Sequence, residues 1–193
     1  MPPIPSDGVG RLRGDKLKVS VDVERLMRSV IMLTLKFDVR LANRQEHALR
    51  DIRMSAELIS ARRGLSMEQQ TASAGSSLQR IGQAARIGPN QTGTIRGQLQ
   101  MPIGDFEVFR QGQIPFCVPI LLLRLDAEGI EPQHHTFLIG LAPTQPGGRV
   151  QPLPLSGPPG GYDGVIAKVL ERTSYHSYRS VLTAPLDARV HRG

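Results

Sequence analysis

The side chains of this chain with the strongest claim to chemistry are Cys117, the pair His134-His135, the acids around Gly129 and a surplus of arginine and lysine. A nucleophilic cysteine needs a neighbouring base and some exposure to hold its thiolate. Cys117 stands in Phe116-Cys117-Val118, inside the most apolar stretch, and is read as a buried structural thiol. It is the only cysteine, so no intrachain disulfide forms and a disulfide-stapled secreted scaffold is excluded. Adjacent residues on a strand point to opposite faces, so His134 and His135 cannot share a metal, and no cysteine or acid cluster completes a site. They are read as turn histidines. Asp126, Glu128 and Glu131 offer too few regularly spaced oxygens for a calcium loop. The glycines at 88, 93, 97, 157, 160 and 161 do not open a helix after a strand, so no phosphate-binding loop is expected. Asn90-Gln91-Thr92 has the form of a glycosylation acceptor, without a secretory signal to give it meaning. No catalytic, cofactor-binding or metal-binding residue is named, and the chain is read as a non-enzyme.

The basic residues are the one group with a plausible use. Residues 10–63 hold 13 basic and 7 acidic side chains, whereas residues 64–172 balance at 8 of each, within a formal net charge of +7. Such a balance favours anionic partners: nucleic acid, acidic lipid or an acidic protein face. Lys36, Arg40 and Arg53 fall on the polar sides of their strands, and Arg44, Arg50, Arg62 and Arg63 lie in turns or at strand ends. If the strands carrying them pair, Lys36, Arg40, Arg53, Arg62 and Arg63 form one candidate interaction surface. The competing reading is a solvated, solubilising face. With no Trp, five Phe and three Tyr, the chain is poor in the aromatic platforms that stack bases.

Alternation of period two dominates the elements that must carry these residues. Leu17, Val19, Val21 and Val23 alternate with polar residues, as do Leu33 to Leu41 and Ile52 to Leu58. Each is read as a strand with one buried and one wet face, as in an antiparallel sheet. Residues 62–90 are read as a long irregular connection in which Ser77 to Ile81 opens a short helical turn. A turn at Gly88-Pro89-Asn90 precedes a weaker strand, Thr92 to Met101. Ile114 to Leu125 is read as a single buried strand and Thr136 to Leu141 as a further one. Ala142 to Tyr162 is rich in proline and cannot be a central strand. Val165 to Leu170 reads as a short helix or a last strand.

The expected architecture is therefore all-β: an antiparallel β-sandwich over 15–141, a flexible N-terminus over 1–14, a proline- and glycine-rich extension over 142–172 packed on or beside the sandwich, and a flexible basic tail over 173–193. The core is aliphatic, and 193 residues suffice for one domain.

The order of signals carries a resemblance. Leu41-Ala42-Asn43 ends one strand, Leu49-Arg50-Asp51-Ile52 follows a polar turn, and Ile87-Gly88-Pro89-Asn90-Gln91-Thr92 leads to a strand closing on Met101-Pro102. Over about residues 17–141 this resembles bacterial cell-adhesion-related and similar immunoglobulin-like domains. It also resembles a set of uncharacterised alphaproteobacterial proteins that join such a sandwich to a proline-rich segment containing a tyrosine, here Tyr162. The resemblance implies an immunoglobulin-like fold and a non-catalytic, often envelope-associated role. The chain departs from it in showing no anchor or signal segment.

The expected function is a protein-interaction or structural module, binding through a basic sheet face or its loops, with no cofactor. The alternatives are an electrostatic binder of nucleic acid or acidic lipid, and an enzyme whose residues meet only in three dimensions. A protein partner is expected, with nucleic acid, an acidic membrane surface or a second copy of the chain as the other candidates. The expected location is cytoplasmic, or envelope-associated if an N-terminal anchor precedes this chain.

Overall fold

The computed structural model describes residues 16–66, 68–71 and 78–170. The expected termini, 1–14 and 173–193, lie outside the described residues. Twelve strands run through the described chain: β1 Leu17–Arg28, β2 Met32–Asn43, β3 Leu49–Ser60, β4 Gln79–Ile87, β5 Thr92–Pro102, β6 Phe109–Gln111, β7 Ile114–Cys117, β8 Pro119–Asp126, β9 Gln133–Leu141, β10 Leu153–Pro154, β11 Gly160–Tyr162 and β12 Val165–Val169. All pairings are antiparallel. They form a four-stranded sheet β11-β1-β2-β5, a five-stranded sheet β12-β9-β8-β3-β4 and a small sheet β10-β7-β6.

The two large sheets pack face to face because alternation buries one side of each. Leu33, Leu35, Phe37, Val39 and Leu41 of β2 meet Ile52, Met54, Ala56, Leu121, Leu123 and Leu125 of β3 and β8 in one aliphatic core. In β1 a register shift between Val23 and Arg25 moves the inward parity, so that Leu26 is buried. Phe37 fills the space over its cross-strand partner Gly97, where an added Cβ would lie 2.6 Å from the ring. Only glycine leaves room for that ring.

Two sequence expectations are corrected. Residues 62–90 are not one irregular connection, since β4 occupies Gln79–Ile87. No helical turn forms at Gln79–Ile81, and residues 72–77 lie outside the described chain. The alternation of β4 is disguised. Its core-facing Ile81, Ala84 and Ile87 are spaced by three, with a register shift opposite Met54/Ser55. Gly82 replaces a side chain where Ile95 of β5 comes close. Likewise, Ile114 to Leu125 is not one strand. It divides at Val118 into β7, which belongs to the small sheet, and β8, which belongs to the five-stranded one. The carbonyl of Val118 accepts instead from the amide of Ala61 at 2.8 Å.

β8 reads as continuously apolar because both its faces are covered. Its other face places Ile120 and Leu122 with Leu138 in a second cluster, roofed by Ala61, Val150 and Leu170. Residues 142–170 contribute β10, β11 and β12, one strand to each sheet. Tyr162 donates to the Pro154 carbonyl at 2.8 Å, and Arg28 donates to those of Gly157 (2.9 Å) and Pro158 (3.3 Å), so this segment is tied to the end of β1.

Candidate functional site

The sheet topology separates the residues that the sequence grouped. β2 and β3 do not pair but lie in different sheets. Lys36 and Arg40 alternate with the buried residues of β2, so they leave the outer face of the four-stranded sheet. Arg53 alternates with Ile52 and Met54 and leaves the opposite outer face of the sandwich. Arg62 and Arg63 follow β3, at the end of the molecule where that strand stops. The single basic face therefore does not form, because the chain crosses between sheets after Asn43.

Arg40 is not a free charge either. Its Nε lies 2.7 Å from Asp22 Oδ2, and Arg96 Nε lies 3.6 Å from Asp38 Oδ1. Asp22 and Asp38 are cross-strand partners, and each of these like charges has its own arginine beside it. This face neutralises its own aspartates. Arg63 is also engaged: its amide donates to Glu107 Oε2 at 2.9 Å, and its guanidinium lies 5.0 Å from the centre of the Phe109 ring.

The other chemical candidates are absorbed by packing. Cys117 is fully buried, and burial pushes its thiol up to about 12, against a smaller opposing effect of Arg28. Such a thiol holds almost no thiolate at neutral pH. His134 stands opposite Arg124, and His135 opposite Leu123. Burial, and then the neighbouring His134, lower the pKa of His135. Arg124 forks Asp126 through contacts of 2.8 to 3.1 Å. Among the described residues, no three His, Cys, Asp or Glu side chains come close enough to hold a metal ion. No helix among them is long and apolar enough to cross a membrane.

Two features emerge that the sequence reading missed. One is a cleft of about 350 Å³ between the end of β3 and the end of β5, lined by Leu58, Arg62, Leu99, Gln100, Met101 and Asp105 among others. It opens where β4, which begins opposite Ala56, leaves the last residues of β3 without a neighbour on that side. The other is the end of the sandwich where β1, β3 and β5 finish. Val30 (77% exposed) and Ile31 (71%) form the tip of the β1–β2 hairpin, and Leu65, Val108 and Ile114 are exposed in neighbouring segments. Val169 is also exposed, on the edge strand β12 opposite Phe137.

Hydrogen bonds hold this end together. Ile103 donates to the Ile31 carbonyl (2.9 Å), Phe106 to that of Ile103 (3.2 Å), and Glu107 to Ser60 Oγ (3.1 Å). Arg63 then links to Glu107, and the Phe109 and Phe116 rings stack at 5.7 Å in the β6–β7 hairpin. The apolar side chains thus project from a bonded scaffold. Comparison with family models, with curated proteins and with solved structures finds no match to this chain.

Proposed function

We propose that the chain is an immunoglobulin-like, non-catalytic module that binds a protein partner through the end carrying Val30 and Ile31. The observation behind this reading is the gathering of Val30, Ile31, Leu65, Val108 and Ile114 at one end. Single exposed apolar residues are ordinary on any protein, but several brought to one end are the mark of a contact surface. Loops fixed on a rigid sandwich are where binding residues concentrate. The engaged state of Arg40 and Arg63 and the split of Lys36 from Arg53 weigh against recognition of a polyanion through the strands named from sequence.

Site-directed photocrosslinking tests this. Benzoylphenylalanine placed at position 31 of the full chain should give a discrete adduct in its native lysate. The same group at Thr94, on the outer face of the four-stranded sheet, should give none. Excess wild-type protein should compete the adduct away, and V30S/I31S protein should not. Equal adducts from both positions, or none from position 31, would overturn the proposal.

A further inference from the structure

Arg50 on β3 and Arg86 on β4 are cross-strand partners, so their side chains leave the same face of the sheet with Cα atoms about 5 Å apart. Like charges placed directly opposite each other destabilise a strand pair. Yet neither arginine has an ion pair or side-chain hydrogen bond within the described residues.

Arg53 joins them through a backbone irregularity. Residues three apart on a regular strand face opposite ways. Asp51, however, has a φ of 47°, and Leu49 and Ile52 on either side of the kink are both buried. Arg50 and Arg53 therefore both point outward. The carboxylate opposite Arg53 is that of Asp126, which Arg124 already forks. Asp51 and Glu128, whose amide donates to the Arg50 carbonyl at 3.0 Å, are nearby acids and make no ion pair. On the four-stranded sheet, by contrast, Arg40 and Arg96 each have an aspartate.

We propose that Arg50, Arg86 and Arg53 form a receptor for a phosphomonoester carried on a protein partner. Two unpaired arginines facing each other on adjacent strands match a dianion on one group, which both can reach, whereas two carboxylates brought there would repel each other. A phosphomonoester supplies about −1.5 to −2 charges and three acceptor oxygens, and arginine forks pair with it bidentately. No wall encloses the site, so a free ion would meet three solvated side chains alone. A polypeptide would also run along the outward Gln83, opposite Arg53 on β4, and Ser55, two residues further along β3. The site sits near the start of β3, roughly 30 Å from the apolar end at about 3.3 Å per strand residue. It is a second contact, separable from the first by mutation.

The test is an NMR titration of the full chain, read at the arginine Nε–H resonances and assigned with R50K, R53K and R86K. The probes, at equal ionic strength, are a short glycine–serine peptide with one phosphoserine, its glutamate counterpart, inorganic phosphate, and phosphatidylcholine vesicles doped with phosphatidic acid. The phosphoserine peptide should shift all three arginines saturably and bind about tenfold or more tighter than its glutamate counterpart or inorganic phosphate. R50K/R86K, which keeps charge but loses the forks, should weaken it about fivefold or more with the melting curve unchanged, while V30S/I31S leaves it unaltered. Absence of a saturable shift, affinity equal to that of inorganic phosphate or the glutamate peptide, or tighter binding to the vesicles would each overturn the proposal.

Discussion

Asn43 and Gly88, 45 residues apart, are joined by a hydrogen bond of 3.1 Å from the Asn43 side-chain amide to the Gly88 carbonyl. The same amide donates to the carbonyls of His47 (2.8 Å) and Ile87 (3.3 Å), while Asn43 Oδ1 accepts from the Gln45 amide at 3.0 Å. A buried side chain thus fastens the crossing from β2 to β3 onto the β4–β5 turn. That turn is itself closed by Gln91, whose side chain accepts from the Gly88 amide (3.0 Å), and Asn90 takes a positive φ at its third position.

Replacing Asn43 with leucine should therefore cost more than an ordinary polar substitution. Three buried or half-buried carbonyls lose a donor, though that of Gly88 keeps the Gln91 amide (3.2 Å), and the Gln45 amide loses its acceptor, each at up to about 1–3 kcal/mol, with partial relief from water. A loss of about 3 kcal/mol in urea unfolding is expected, with m unchanged. A loss under about 0.5 kcal/mol would mean that the two turns hold their places without it.

Gly97→Ala should destabilise through the Phe37 ring, which lies 2.6 to 3.0 Å from the position the new methyl would take. Overpacking of this kind costs about 1–3 kcal/mol. Phe37→Leu alone should destabilise by leaving a void, and the double variant should be less unstable than the sum of the two losses. Additivity in that cycle would show that the ring and the glycine do not share the space.

Cys117 should react slowly with a thiol reagent in the native protein and rapidly once unfolded. Its folded pKa is raised, so its contribution to stability is full below the unfolded value of 9.0 and is lost as pH rises toward about 12. Across that window wild type should lose up to roughly 1.4 kcal/mol per pH unit relative to Cys117→Ala. Parallel stability curves for the two proteins above pH 9 would contradict the buried neutral thiol.

The strands that alternate were legible in the sequence, and those whose alternation is broken were not. β2 shows six buried residues at every second position, and the five apolar ones from Leu33 to Leu41 announce it. β4 hides behind Ile81, Ala84 and Ile87, whose spacing of three suits no strand template, so Arg86 stood in a segment read as loop. Arg53 was placed correctly on a polar strand side, but no residue pattern says that β3 pairs with β8 and β4 rather than with β2. Val30 and Ile31 look in sequence like two more aliphatic residues beside a strand. Their exposure follows from the hairpin, which turns at Ser29, where the hydroxyl accepts from the amides of Ile31 (3.2 Å) and Met32 (2.9 Å).

The most direct test of the account is the dissociation constant of the partner crosslinked at position 31, measured against wild-type protein and against V30S/I31S. Both substitutions remove apolar surface already in water, so the melting temperature should hold. Burying two such side chains in a contact is worth about 1.5–3 kcal/mol each, so the variant should bind at least about tenfold more weakly, mainly through faster dissociation. Equal affinity of the two proteins for that partner would contradict the claim that this end of the sandwich is the binding surface.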